Sequence, residues 1–431
     1  MNREKTFERF RLVWRSCPLF YICICACVCV LTAGACHNED GPGLEGKELR
    51  HTVIFYMAGE NSLSEFVASD SAEVVNAAAS LPADVRLVLF IDDTKSSRIY
   101  VKTKDEEMTV VKTYENNVCS TDSASMLHVL RDIVLTYPAK SYGLVCWSHA
   151  TGWLFTDSKS AESASAAPAV SADRRDVKRR SFGIDNGLRQ PYNDNGKSLN
   201  IPTMAGLMAQ LPHFEYVMFD ACFMQCVEVA YELRNVCNWV ISSPAEIPAD
   251  GAPYESVLPL LCADPFQAYA VVDAYHRYYD SGPGYPTYYG VELSAVATAG
   301  MEQLASATRQ CVQHIWGGRK EAVTSGVQYY TTYSRYPSFF DMESLFHKNL
   351  PEADYERWCE ALAVAVPYVR LSDRWTTAYI WANNHTYPLF DREHCTALSI
   401  YAPTESNEEG WNADYRRLQW YHAAGLDQTG W

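Results

Sequence analysis

Basic side chains are the scarce ones in this chain: 36 Lys and Arg stand against 52 Asp and Glu in 431 residues, for a formal net charge of −16. Residues 1–35 hold five basic and two acidic side chains, which leaves −19 for the rest. A body this acidic argues against a nucleic-acid partner, because phosphate contacts need a basic surface. Paired cysteines are missing too. Six of the fifteen lie at or before Cys36, and the other nine (119, 146, 222, 226, 237, 262, 311, 359 and 395) are odd in number and show no C-x-x-C spacing. That excludes a disulfide framework and a cysteine zinc site. No G-x-S-x-G elbow is present, so an esterase of the α/β-hydrolase kind has no nucleophile. Gly196-Lys197-Ser198 has the tail of a phosphate loop, but the loop's first glycine would fall on Pro191. No internal repeat divides the chain. What remains is 48% apolar and 20% charged, the composition of a folded protein long enough for one large domain or two.

The first 35 residues read as a targeting signal and stand outside fold reasoning. Arg3, Lys5, Arg9, Arg11 and Arg15 precede the apolar run Cys17–Ala35, which ends in small residues directly before Cys36. Leu31-Thr32-Ala33-Gly34-Ala35-Cys36 resembles a bacterial lipobox. Lipidation of Cys36 would make the protein an exported lipoprotein of the outer membrane or cell surface, attached to the membrane by that anchor. The alternative is an uncleaved N-terminal anchor, since the run is just long enough to span. Residues 36–50 are acidic and contain Gly and Pro, as a flexible tether would.

From His51 the chain takes up a strand–helix rhythm that predicts an α/β fold with a mostly parallel sheet. His51–Met57 and Val85–Ile91 have the composition of buried strands. Ser62, with Glu65 three residues later, reads as the capping box of a helix running to about Ser80. Ile99–Thr103 and Met108–Val111 suggest a hairpin, and Ser120–Thr136 an amphipathic helix. Tyr142–Trp147 is a further buried strand, and it ends in a polar turn carrying His149. Tyr216–Phe219 is another, and after Asp220-Ala221-Cys222 a helical period takes over. Cys222 is therefore expected between a strand's carboxyl end and a helix's amino end, where open α/β sheets place their ligands. Free N–H groups and the helix dipole would favour a thiolate there. A lone cysteine is ordinarily a small buried hydrophobe, and Cys226 reads as core. What lifts Cys222 is that His149 ends a strand in the same way, so one sheet edge would carry both a thiol and an imidazole.

On these stretches the chain resembles the clostripain-like cysteine peptidases, the C11 family of the caspase–gingipain clan. The matching pieces are HTVIFYMAGENSL (51–63), WSHATGW (147–153), FDACFMQCVEVAYEL (219–233) and SSPAEIPADGAPY (242–254), with weaker echoes at 291–305, 338–345 and 395–404. The resemblance implies a caspase-like core over 51–300, its sheet flanked by helices on both faces. Residues 301–431 would be a C-terminal α+β extension of the same catalytic unit. It also implies a His149–Cys222 dyad cutting protein or peptide substrates after Arg or Lys, with Asp220 and Asp250 lining the pocket for the basic side chain. Taken without the family, Asp220 could equally cap a helix and Asp250 sit in an Asp-Gly turn. The backbone N–H groups of Ala150 and Cys222 are the candidate oxyanion donors. The family commonly has Gly where Ala150 stands. If that turn needs a left-handed residue, the oxyanion hole is strained or shifted unless Gly152 absorbs the turn; Ala150 is the main support for the alternative, a catalytically inactive surface binding protein that kept the fold. Thiol chemistry requires no cofactor; a structural calcium ion is left open.

One segment departs from the rest. Asp157–Arg180 is Ser/Ala-rich, ends in a basic cluster and has no apolar period, so it reads as a disordered insertion between the two candidate catalytic residues. Lys178, Arg179 and Arg180 carry the side chains such a pocket would select, and self-processing there is an expectation.

Overall fold

A computed structural model describes residues 46–156, 181–187, 194–281, 290–330, 339–375, 387–388, 391–405 and 410–431. The apolar run Cys17–Ala35, the lipidation candidate Cys36 and the basic cluster Lys178, Arg179 and Arg180 lie outside the described residues. Among the described residues no helix is long and apolar enough to cross a membrane.

Of fifteen strands among the described residues, the first twelve set the frame in chain order: β1 (Leu49–Ala58), β2 (Val85–Asp92), β3 (Ser97–Lys102), β4 (Thr109–Thr113), β5 (Ala139–Trp147), β6 (Phe182–Asp185), β7 (Lys197–Leu199), β8 (Phe214–Asp220), β9 (Cys237–Ser242), β10 (Leu293–Ala297), β11 (Phe340–Asp341) and β12 (Tyr368–Arg370). Nine of them form one sheet in the order β12-β10-β9-β8-β5-β1-β2-β3-β4. The five central strands β9, β8, β5, β1 and β2 run parallel, and antiparallel strands close both edges.

Residues of β1 alternate between two separate cores. Ile54, Tyr56 and Ala58 enter one core; Val53, Phe55 and Met57 enter the other. This is why the central strands read as unbroken apolar runs: a parallel sheet covered on both faces has no polar side. Helices Ser123–Thr136, Ile201–Met208, Val227–Leu233 and Met301–Trp316 cover the first face. Helices Val67–Ala77, Tyr254–Leu261 and Ala268–Ser281 cover the second. Ser123–Thr136 shows how the sequence does this. Asp122 caps its first turn by accepting from Ser125 N–H, and Met126, Val129, Leu130 and Ile133 recur at the helical spacing that buries one stripe.

The C-terminal part packs on the helix Val227–Leu233, which is buried on every side. Glu228 accepts the Tyr401 N–H (2.8 Å) and the Tyr415 hydroxyl (2.9 Å), while Glu232 accepts both the backbone and side-chain N–H of Gln419. Burial pushes the Glu228 carboxyl up to about 7. The same part supplies β12 to the sheet edge.

Two expected elements are displaced, and both displacements bear on the site. The first helix runs over Val67–Ala77, with no side-chain cap at its N-terminus, because Ser62 has another use described below. The helix after Cys222 begins only at Val227. Cys222 thus lies in an extended turn, out of reach of a helix dipole that fades within one turn. The competing influence is a set of backbone bonds from that turn to the loop after β9: Phe223 N–H to Ala245 O (2.9 Å) and Gln225 N–H to Ser243 O (3.0 Å).

Candidate active site

β5 and β8 are parallel neighbours in a register that sets Trp147 against Asp220. His149 lies two residues beyond the first and Cys222 two beyond the second, so the two reach the same edge of the sheet from adjacent strands. Cys222 is a half-buried thiol outside any disulfide, and the next residue, Phe223, has a left-handed backbone (φ 62). A phenylalanine in that conformation costs on the order of 1–2 kcal/mol. The backbone bond from Phe223 to Ala245 holds it there.

The His149 turn is fixed from the other side of the insertion. Ala150 bridges Phe182 of β6 in antiparallel fashion, with Thr151 N–H donating to Ser181 O (3.0 Å) and Gly183 N–H to His149 O (2.8 Å). Both ladder bonds come from the flanking residues, so the N–H of Ala150 takes no part in this ladder. The left-handed residue of the turn is Gly152 (φ 64), not Ala150. A Cβ on Gly152 would stand 2.9 Å from the Phe223 carbonyl oxygen and 3.3 Å from Cys226 Sγ. The turns that carry His149 and Cys222 therefore touch, and glycine is required where they do.

The sequence reading missed the partner of the imidazole. His149 Nε2 lies 2.8 Å from the Ser62 hydroxyl, which is 2.8 Å from Asp194 Oδ2. Ser62 N–H also donates to Asp194 Oδ1 (3.0 Å). A carboxylate only accepts, so the hydroxyl proton points to Asp194 and the Ser62 oxygen accepts from Nε2–H. In the neutral imidazole the ring proton therefore sits on Nε2. Asn61 braces this corner from inside: its amide donates to Ala58 O (2.8 Å), Ile184 O (2.9 Å) and the Ser148 hydroxyl (3.3 Å).

Asp220 is 3% exposed and turns away from solvent. It accepts from Ala252 N–H (2.9 Å), from the Tyr275 hydroxyl (3.1 Å) and from the Tyr254 hydroxyl. Burial raises its pKa, and these three donors partly offset that. It caps no helix. It secures the loop that carries Asp250, and the Gly251 backbone passes so close that a Cβ there would meet Asp220 Oδ2 at 2.6 Å. Asp250 itself is exposed on that loop. Two further acids from the helix Val67–Ala77 join them. The Trp147 indole N–H donates to Asp70 (2.7 Å), whose carboxyl is pushed up to about 7 by burial and by Asp220. Glu73, raised first by burial, also feels Glu255, Asp220 and Asp250. In sequence these acids are spread from 70 to 255, so no local pattern links them.

A model of the clostripain family matches residues 55–429. Among solved structures, a secreted C11 cysteine protease from Bacteroides thetaiotaomicron, held by an irreversible peptide inhibitor, is 28% identical. It matches with a TM-score of 0.70 over 88% of this chain and 99% of that one. Two others share the fold at lower identity. A second secreted C11 cysteine protease from the same organism is 20% identical (TM-score 0.71, 88% of this chain and 100% of that one). An inactive zymogen C11 protease from Parabacteroides distasonis is 23% identical (TM-score 0.69, 88% and 99%). No curated protein matches. With a caspase-like sheet in place and the family model spanning nearly all of it, the chain belongs to the clostripain family of cysteine peptidases.

Proposed function

We propose that this peptidase is an exported endopeptidase that cuts after Arg or Lys, with His149 and Cys222 as its dyad. The observation that carries the reading is the β5–β8 register, which sets the two residues at matching distances beyond paired strand ends. The Cys222 thiolate attacks the scissile carbonyl and forms an acyl-enzyme. His149 protonates the leaving amine and then activates water, with Ser62 and Asp194 holding its Nε2 side. The N–H groups of Ala150 and Cys222 are the proposed oxyanion donors. Since the turn's left-handed residue is Gly152, Ala150 brings no strain to that role.

Selectivity for a cation rests on the acids around the 250–254 loop. Asp250 would meet the substrate's guanidinium or ammonium directly. Asp220 would act from beneath by fixing the loop that presents Asp250, through Ala252, Tyr254 and Tyr275. Self-processing in 157–180 fits the same site. A cut after Arg180 would leave Ser181 as a new amino terminus, and Ser181 is fixed beside the His149 turn through Thr151 and Ile201. Export is supported by the secreted neighbour, and lipidation at Cys36 is the proposed tether.

The test compares wild type with Cys222→Ala on fluorogenic peptides ending in Arg, Lys or Leu. Turnover of the Arg and Lys peptides by wild type alone is expected; equal background from both proteins sinks the enzyme reading. A denaturing gel adds the processing arm. Two fragments meeting near residue 180 are expected for wild type and one intact chain for Cys222→Ala. A Cys222→Ala chain cut at the same place would assign the cut to another protease.

A further inference from the structure

The edge of the sheet that carries the proposed dyad extends well beyond it. β2–β3 and β3–β4 are antiparallel pairs, so β4 runs the same way as β1, β2 and β5. Tyr114 therefore leaves β4 at the edge where His149 and Cys222 lie. The helix Ser123–Thr136 also begins there, since it leads back to the start of β5. Between the loop 114–118 and the first turns of this helix is a cavity of about 410 Å³. Tyr114, Val118 and Ala124 give it apolar walls, and Asn117, Ser125 and His128 add polar groups.

These walls are fixed before anything enters. Tyr114 N–H donates to Ser97 O (3.0 Å) and Val118 N–H to the Ser97 hydroxyl (3.2 Å), which in turn donates to Asp92 at the end of β2 (2.7 Å). Asp122 accepts both the N–H and the hydroxyl of Ser125. The Tyr114 and His128 rings meet edge to face, 6.5 Å between centroids. What selects an occupant is order along the edge. Cys222 follows β8, His149 follows β5 and the cavity follows β4, with β1, β2 and β3 between the last two. A general acid stands beside the leaving group. The leaving half of a cut polypeptide would therefore depart on the His149 side, toward the cavity. Four strand spacings of about 4.8 Å make about 19 Å, which an extended chain at about 3.3 Å per residue covers in about six residues.

We propose that this cavity docks an aromatic side chain of the substrate's leaving segment, about five to seven residues after the cut, an inference that rests on the dyad reading. A ring entering between Tyr114 and His128 gains edge-to-face contact in addition to burial of its apolar area. The Ser125 hydroxyl, whose proton goes to Asp122 (3.2 Å), can still accept from an indole N–H or a phenol. A basic side chain fits less well, because Lys112 Nζ already lies 4.7 Å from the Tyr114 ring centroid. Docking so far from the reacting bond strengthens substrate and transition state alike, so it should lower KM and leave kcat unaltered. The enzyme would thereby favour polypeptides with a long segment after the cut over short peptides.

The test moves one tryptophan along the leaving segment of an otherwise alanine-rich Arg peptide and compares each kcat/KM with that of a dye amide, which has no leaving polypeptide. The ratio should peak about tenfold above the alanine parent at about the fifth to seventh residue. Asn116→Trp and Ala124→Trp, both at exposed positions on the cavity, should erase that peak. Fluorescence anisotropy of the same peptides on Cys222→Ala reads docking without chemistry. The tryptophan peptide should bind about tenfold tighter than its alanine parent, and adding Asn116→Trp should remove the difference. Equal binding of the two peptides to Cys222→Ala overturns the docking site, whether or not wild type cuts anything. A binding difference with no turnover of the dye amide supports the docking site and sinks the dyad reading instead. A peak that survives both cavity variants, or that falls within about three residues of the cut, overturns the location. A larger gain from lysine than from tryptophan overturns the aromatic class.

Discussion

At the scale of single residues, the proposed chemistry depends on a hydroxyl that the sequence offers for something else. Ser62 has the spacing of a helix cap, yet its proton goes to Asp194 and its oxygen faces His149. Ser62→Ala should lower kcat about ten- to hundredfold, with KM and melting temperature nearly unchanged. That is less than the full contribution of a proton-transferring group. A loss expressed mainly in KM or in stability would reduce Ser62 to a packing residue. Gly152→Ala makes a different prediction. The new methyl would collide with the Phe223 carbonyl in a backbone conformation alanine resists, so stability should fall by about 1–3 kcal/mol in urea unfolding. Unchanged stability would mean the turn relaxes freely. His149 and Cys222 were legible because each follows a strand that is plain in the apolar pattern. The Asp194 contact was not, because it joins residues 132 apart across an insertion, and no periodicity reports such a meeting.

At the scale of elements, the loop after β9 separates two roles that the sequence ran together. Asp220 is a buried fastening for Ala252, Tyr254 and Tyr275, while Asp250 is exposed above it. Asp220→Ala would leave three donors without an acceptor and should destabilise the fold by roughly 1–3 kcal/mol or more. Asp250→Ala should leave the melting temperature unchanged. Both should reduce cleavage after Arg relative to Leu, the exposed acid by direct loss of a charge partner and the buried one through its loop. Unchanged Arg preference in both variants would return them to structural duty. The strand series β1, β2, β5, β8 and β9 was readable because burial on both faces leaves an unmistakable apolar run. The helix after Cys222 was placed four residues early, because tertiary bonds to Ala245 and Ser243 hold that stretch open against its local helical pattern.

At the scale of the whole molecule, buried acids make stability depend on pH. Asp70, Glu228 and Asp341 are each pushed up to about 7, chiefly by burial. Their folded values lie above the unfolded ones, so the fold holds protons that the unfolded chain releases. The stability they lend is complete below about pH 4 and drains away as pH rises through about 7. The urea midpoint should therefore fall between about pH 6 and pH 8; a flat or rising midpoint would contradict this account. Glu228 also shows what the sequence concealed, since its anchoring of Tyr401 and Tyr415 joins residues more than 170 positions away. One consequence of the topology concerns time. β5 and β8 lie side by side at the middle of the sheet, yet the insertion separates them in the chain. Once that connection is cut, the imidazole and the thiol belong to different polypeptides, and folding changes from a first-order event to a second-order one. A nicked molecule that unfolds at high dilution has lost the tether that would bring its halves together again. Processing would then act as a ratchet: the protein could enter its working state many times slower or faster, but after denaturation it could not easily return.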